Sequence, residues 1–117
     1  MAKVFVTENL FKEIQKRFGK EEANRVLDLL ETLEENPKKG KELGSIGKIV
    51  VKEIRYNKYR FYFLTDGYKL KFLKAEELQD LIIKFVRMSE KKDQQKVIEE
   101  IKRVLRNLGE EGFGENR

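Results

Sequence analysis

One segment limits the fold more than any other: Lys52-Glu53-Ile54-Arg55-Tyr56-Asn57-Lys58-Tyr59-Arg60-Phe61-Tyr62-Phe63. β-Branched and aromatic side chains favour strands, and Asn57-Lys58 suits a two-residue turn, so the segment reads as a β-hairpin. With that turn, Tyr56 faces Tyr59, Arg55 faces Arg60 and Ile54 faces Phe61. Directly opposed like charges destabilise a strand pair, so the two arginines imply an anion held at this position. A polyanion whose bases stack on aromatic rings is the natural partner. The pairing depends on register, because a slip of one residue would send Arg55 and Arg60 to opposite faces.

The flanking sequence supplies the remaining elements. Lys3-Val4-Phe5-Val6 alternates as a short strand, and Thr7 suits an N-cap with Glu8 in the first turn. Leu10, Phe11, Ile14 and Phe18 recur at helical spacing, with Gly19 in the place of a C′ residue. A second helix begins with Glu21 and Glu22, buries Ala23, Val26, Leu27, Leu30 and Leu33, and stops at Asn36-Pro37. The short link makes the two helices an antiparallel hairpin. Lys38 to Lys48 reads as a basic loop punctuated by Gly40, Gly44 and Gly47. Strands are expected at Ile49–Tyr56, Tyr59–Leu64, Tyr68–Leu73 and Leu81–Met88, with Asp66-Gly67 as a hairpin turn. Residues 74–80 fit a loop or one helical turn. A last helix carries Val97, Ile98, Ile101, Val104, Leu105 and Leu108 on one face, capped by Asp93 or Ser89 and ended by Gly109. The expected fold is α+β, helices packed on a small antiparallel sheet in the order β-α-α-β-β-β-α, with one further strand possible. The 117 residues suit one domain, 1-117, with 110-117 as a frayed polar tail.

Composition removes most chemistry. The chain has Cys 0 and His 0, which leaves no disulfide, no thiolate nucleophile, no histidine base and no ordinary zinc or iron site. No cofactor is implied. A net charge of +5 favours acidic partners. Neither a membrane span nor a signal-peptide core is visible, so a cytoplasmic protein is expected. The 40% charged content, rich in Lys and Glu, has the look of a thermophile surface.

Charged clusters divide into bland and informative ones. Glu34-Glu35, Glu76-Glu77, Glu99-Glu100 and Glu110-Glu111 are sequence neighbours, and neighbouring side chains diverge on a helix rather than converge on one ligand. Gly44-Ser45-Ile46-Gly47 lacks the strand-to-helix context of a phosphate loop. The strand arginines remain, with Lys84 and Arg87 on the otherwise apolar Leu81-Ile82-Ile83-Lys84-Phe85-Val86-Arg87. A bland account also exists: Glu53, diagonal to Arg60, neutralises the group as ordinary ion pairs.

The chain resembles the RelE/ParE superfamily of toxin–antitoxin toxins, most closely its HigB-like branch. The likeness rests on Leu33-Glu34-Glu35-Asn36-Pro37, Gly40-Lys41-Glu42-Leu43, Lys52-Glu53-Ile54-Arg55, Tyr59-Arg60-Phe61-Tyr62-Phe63 and Phe85-Val86-Arg87, in that order over residues 25–108. The resemblance implies a RelE-like fold, a cognate antitoxin partner and ribosome-dependent cleavage of messenger RNA through attack of the 2′-OH on the neighbouring phosphate. On that basis Arg60, Arg87 and Arg55 are expected around the phosphate, with Lys52 as a base made neutral by arginine crowding. Tyr56, Lys58, Tyr59, Lys84, Lys91 and Lys92 are the expected RNA-binding residues. RelE-type members often carry Lys where this chain has Glu53, whereas the HigB-like branch has Glu. Many active members also place a Tyr or His just after the basic strand end. Met88–Val97 holds neither, so Lys91, Lys92 or a hairpin tyrosine takes that part, or nuclease activity has lapsed. A gyrase-directed ParE-type toxin is the alternative within the same fold. The sequence leaves codon preference and oligomeric state open.

Overall fold

In a computed structural model that describes residues 1–108, period-2 and helical patterns build one five-stranded sheet with helices on both faces, an α+β fold. The elements are β1 (Lys3–Val6), α1 (Glu8–Arg17), α2 (Lys20–Glu31), β2 (Lys41–Ile46), β3 (Ile49–Tyr56), β4 (Tyr59–Asp66), α3 (Gly67–Phe72), β5 (Ile82–Glu90) and α4 (Gln94–Leu108). Short 3₁₀ turns occupy Thr32–Glu34, Ala75–Glu77 and Lys91–Asp93. The strand order is β1-β5-β4-β3-β2. No helix among the described residues is long and apolar enough to cross a membrane.

The sheet is mixed rather than antiparallel. β1 pairs with β5 in parallel, placing Lys3 opposite Ile82 and Val6 opposite Phe85. The other pairs are antiparallel. Pairing between two ends of a chain leaves no local signature, which is why the sequence alone suggested an antiparallel sheet.

Two apolar layers flank β4, the central strand. Phe61 and Phe63 join Ile54, Phe85 and Met88 beneath α1 and α2, whose Leu10, Ile14, Val26 and Leu30 are buried. On the other face Tyr62 and Leu64 pack with Val97, Ile98, Ile101 and Leu105 of α4. Each such side chain stabilises the fold by about 1.5–3 kcal/mol on full burial. Val104 and Leu108 lie on the apolar stripe of α4 but remain 54% and 59% exposed.

Local chemistry corrects three further expectations. The basic segment 38–48 is not a loop; most of it is the edge strand β2, bulged between Glu42 and Gly44. Tyr68–Leu73 is not a strand. Asp66 accepts hydrogen bonds from the backbone N–H of Tyr68 and Lys69 at 2.9 and 3.0 Å, and this cap starts α3 instead of a hairpin turn. Gly19 is extended at φ −67° and begins α2, so it is not a left-handed helix terminus. Thr7 caps α1 as expected, its Oγ1 accepting from Leu10 N–H at 3.3 Å. Ser89 lies within β5, so it is not the cap of the last helix. Gly109 and the tail 110-117 fall outside the described residues.

Candidate functional site

The β3–β4 turn sets the site. Asn57 takes φ +54° at the first turn position, a conformation Asn tolerates better than most residues, and the register that follows pairs Tyr56 with Tyr59, Arg55 with Arg60 and Glu53 with Tyr62. Period-2 alternation then places Glu53, Arg55, Arg60 and Tyr62 on the α4 face of the sheet.

Arg87 reaches the same face by a bulge. Tyr62 pairs with Arg87 while Phe63 pairs with Phe85, leaving Val86 as the extra residue. Simple alternation would have put Arg87 beside Phe85 in the opposite core. The bulge turns it instead toward Tyr62, and Ser89 follows on that face opposite Arg60.

Electrostatics arrange these groups around two carboxylates. Glu53 is 2% exposed; its oxygens lie 3.7 Å from Arg55 Nε and 4.0 Å from Arg60 Nε, and Oε1 accepts from Gln94 Nε2 at 2.8 Å. Arg60 is 5% exposed, donates from a terminal nitrogen to the Lys58 carbonyl at 3.4 Å, and keeps a buried Nε with no hydrogen bond among the described residues. Arg87 pairs with Glu100 of α4 at 3.0 Å and is half-exposed. The ion-pair account in which Glu53 neutralises the arginines therefore describes part of this cluster.

Sequence reasoning passed over Tyr62, Ser89, Gln94 and Glu100. Tyr62 Oη and Ser89 Oγ are 2.7 Å apart; Ser89 Oγ donates to the Glu90 carbonyl at 2.9 Å, which makes the phenol the donor to Ser89. Burial raises the Tyr62 pKa and Glu53 adds to this, while Ser89, Arg60 and Arg87 pull the other way. The signal for Tyr62 was present, since it stands two residues after Arg60 and so shares its face. Ser89 and Arg87 beside it open onto a cleft of about 290 Å³. The cleft's charged lining is Arg17, Arg87 and Lys96 against Glu13, Glu90, Asp93 and Glu100.

The other expected residues are spread more widely. Lys52 faces away from the arginines, toward α3, where Nζ donates to the Lys38 carbonyl at 3.1 Å and lies 5.9 Å from the Phe63 ring centre. Its pKa is lowered, as expected, but by burial rather than by arginine crowding, and Glu42 acts in the opposite sense. Tyr56 packs edge-on to Phe18 and donates to Glu22 at 2.9 Å. Tyr59 also meets Phe18 edge-on, lies within 5.7 Å of the Arg17 guanidinium and lines the cleft. Lys58 is 3.9 Å from Glu90. Lys84 lines an apolar groove beside α4, and Lys91 and Lys92 are exposed in the turn before that helix. Among the described residues no three Asp or Glu side chains gather as metal ligands.

Comparison with known proteins gives no match to a family model, a curated protein or a solved structure.

Proposed function

We propose that the chain is the toxin of a type II toxin–antitoxin system, with a RelE-like fold, and that it cleaves messenger RNA on the ribosome. The observation that carries this reading is the convergence of Arg60, Arg87, Tyr62 and Ser89 on one sheet face of a histidine-free chain. The motif resemblance supports it from the side of sequence.

In this mechanism an RNA phosphate takes the place of Glu100 on Arg87, whose guanidinium can hold two phosphate oxygens. The freed Glu100 carboxylate accepts the 2′-hydroxyl proton as that oxygen attacks phosphorus. The 5′-oxygen leaves with a proton from Ser89, which Tyr62 resupplies. Arg60 and Arg87 stabilise the phenolate left behind, and the Glu100 proton returns to it after product leaves. The products are a 2′,3′-cyclic phosphate and a free 5′-hydroxyl. Arg60 is thus a positioning residue, because its burial keeps it from touching RNA. Cleavage is checked by primer extension on messenger RNA translated with the protein, which should show new 5′ ends within the ribosomal A site. Arg87→Ala should lower it by about 10²-fold or more, and full activity in that variant would overturn the assignment.

The antitoxin is expected on the groove of about 440 Å³ between β5 and α4, where Val104 and Leu108 stand exposed among Lys84, Arg87 and Arg103. Apolar contacts ringed by cations suit an acidic amphipathic segment.

A second reading is favoured by Glu53 and by the cleft's four carboxylates against three cations. An anion meets repulsion there, as a non-cleaving member of the class, directed at gyrase or at a protein partner, would tolerate. Growth arrest with inhibited supercoiling and no new RNA ends would select this reading.

A further inference from the structure

The sheet carries a second charged concavity on the face away from Arg60 and Arg87. A cavity of about 480 Å³ lies between β2, β3 and α3, lined by Lys38, Lys48, Lys52 and Lys71 with Glu42 as its one acid. Its polarity is thus opposite to that of the cleft. The volume falls in the range of small-molecule sites, well beyond what a bare ion fills.

Lys52 forms the floor and is 6% exposed. An ammonium has three donors, and here one hydrogen bond is formed, to the Lys38 carbonyl. Burying a cation with so little compensation is costly, so an anion in the cavity would complete its surroundings. Lys71 and Lys38 stand at the rim, both exposed. Tyr68 lines the same cavity and is 61% exposed, a ring held out by the capped start of α3 with no packing role in the core. Glu42, opposite Lys52 in the β2–β3 register, repels a naked anion but accepts hydrogen bonds from sugar hydroxyls.

We propose that this cavity binds a ribonucleotide, with the phosphate on Lys52 and Lys71, the ribose hydroxyls on Glu42 and the base stacked on Tyr68. The shared chemistry is a ribose phosphate with its base, supplied either as a free nucleotide or as one residue of an RNA strand. The site is independent of the cleavage reading, since it shares no residue with the Arg87 cleft.

The test is an amide NMR titration of the full chain with adenosine monophosphate, a pentameric oligoadenylate and inorganic phosphate. The expected result is saturable shifts at Lys38, Gly47, Gly67, Tyr68 and Lys71, with those of Arg87 and Ser89 unmoved by the mononucleotide. Tyr68→Ala should weaken mononucleotide binding about tenfold through lost stacking while the fold is retained. Lys71→Glu, at an exposed position, should weaken it by at least a similar factor, and Lys52→Met should abolish it. Oligoadenylate binding more than about tenfold tighter, with a log-log salt slope reduced by about 0.7 in a Lys71→Gln variant, identifies RNA as the source; equal affinities identify the free nucleotide. The proposal is overturned by any of three results: no saturable shift, shifts centred on the Arg87 cleft, or phosphate binding as tightly as the nucleotide.

Discussion

Glu53 and Lys52 are neighbours in sequence, yet the pleat sends their charges into opposite layers and gives them opposite energetic characters. Glu53 is buried among partners: Gln94, Arg55 and Arg60. Removing Arg60 would leave that carboxylate short of a buried cation, so Arg60→Ala is expected to cost about 3 kcal/mol in urea unfolding. Arg55, whose side chain is 59% exposed, should cost well under about 1 kcal/mol on the same change. Equal losses in the two variants would contradict the burial argument. Lys52 is buried with little company, and its lowered pKa makes it a burden on the fold. That burden is fully present below the folded-state pKa and disappears as pH rises to 10.5, the unfolded value. Lys52→Met should therefore raise stability at pH 7 by about 1 kcal/mol, with the gain vanishing near pH 10.5. Urea midpoints at the two pH values measure this, and a gain that persists unchanged at high pH would count against it.

Elements were legible in the sequence wherever one local rule decided them. β3, β4, their turn and register, and the helices α1, α2 and α4 all follow from periodicity and turn chemistry. Where two local rules competed, reading failed. Asp66-Gly67 obeys both turn and capping preferences, and capping prevailed because two backbone N–H groups needed an acceptor. β2 was hidden because its lysines, glycines and bulge look like a loop, as edge strands guarded against pairing often do. Gly40 gives this a test. Its φ is +109°, and an added Cβ would come within 2.8 Å of the Phe63 ring and 3.1 Å of the Glu53 carbonyl, so Gly40→Ala should cost more than about 2 kcal/mol. Gly19 is extended, with nothing within 4 Å of an added Cβ, so Gly19→Ala should stay within about 0.5 kcal/mol in thermal unfolding. A mild Gly40 variant would mean that the 38–48 segment adapts freely.

The whole molecule is a sheet with two differently charged sides, and what the sequence offered as one basic site is divided between them. Arg60 and Arg87 were brought together in the sequence by the motif resemblance, whereas Lys52 was misjudged because the pleat sends it to the sheet face opposite the arginines. Separation by a full layer predicts independence. The effects of Lys71→Glu and Arg87→Ala on nucleotide affinity, measured singly and in the double variant, should be additive within about 0.5 kcal/mol. A larger coupling, measured by the double-mutant cycle, would mean that the two faces communicate through β4. The bulge at Val86 has one more consequence, in heredity rather than geometry. The face that Arg87 and Ser89 share with Tyr62 depends on the number of codons between Phe85 and Arg87, and Val86 is the residue the ladder leaves over. Loss of that codon in frame would set Arg87 directly after Phe85 and leave it on the α4 face. One added codon, with the bulge kept at one residue, would instead give Arg87 the parity of Phe85 and disperse the cluster, with every chemically active residue still encoded.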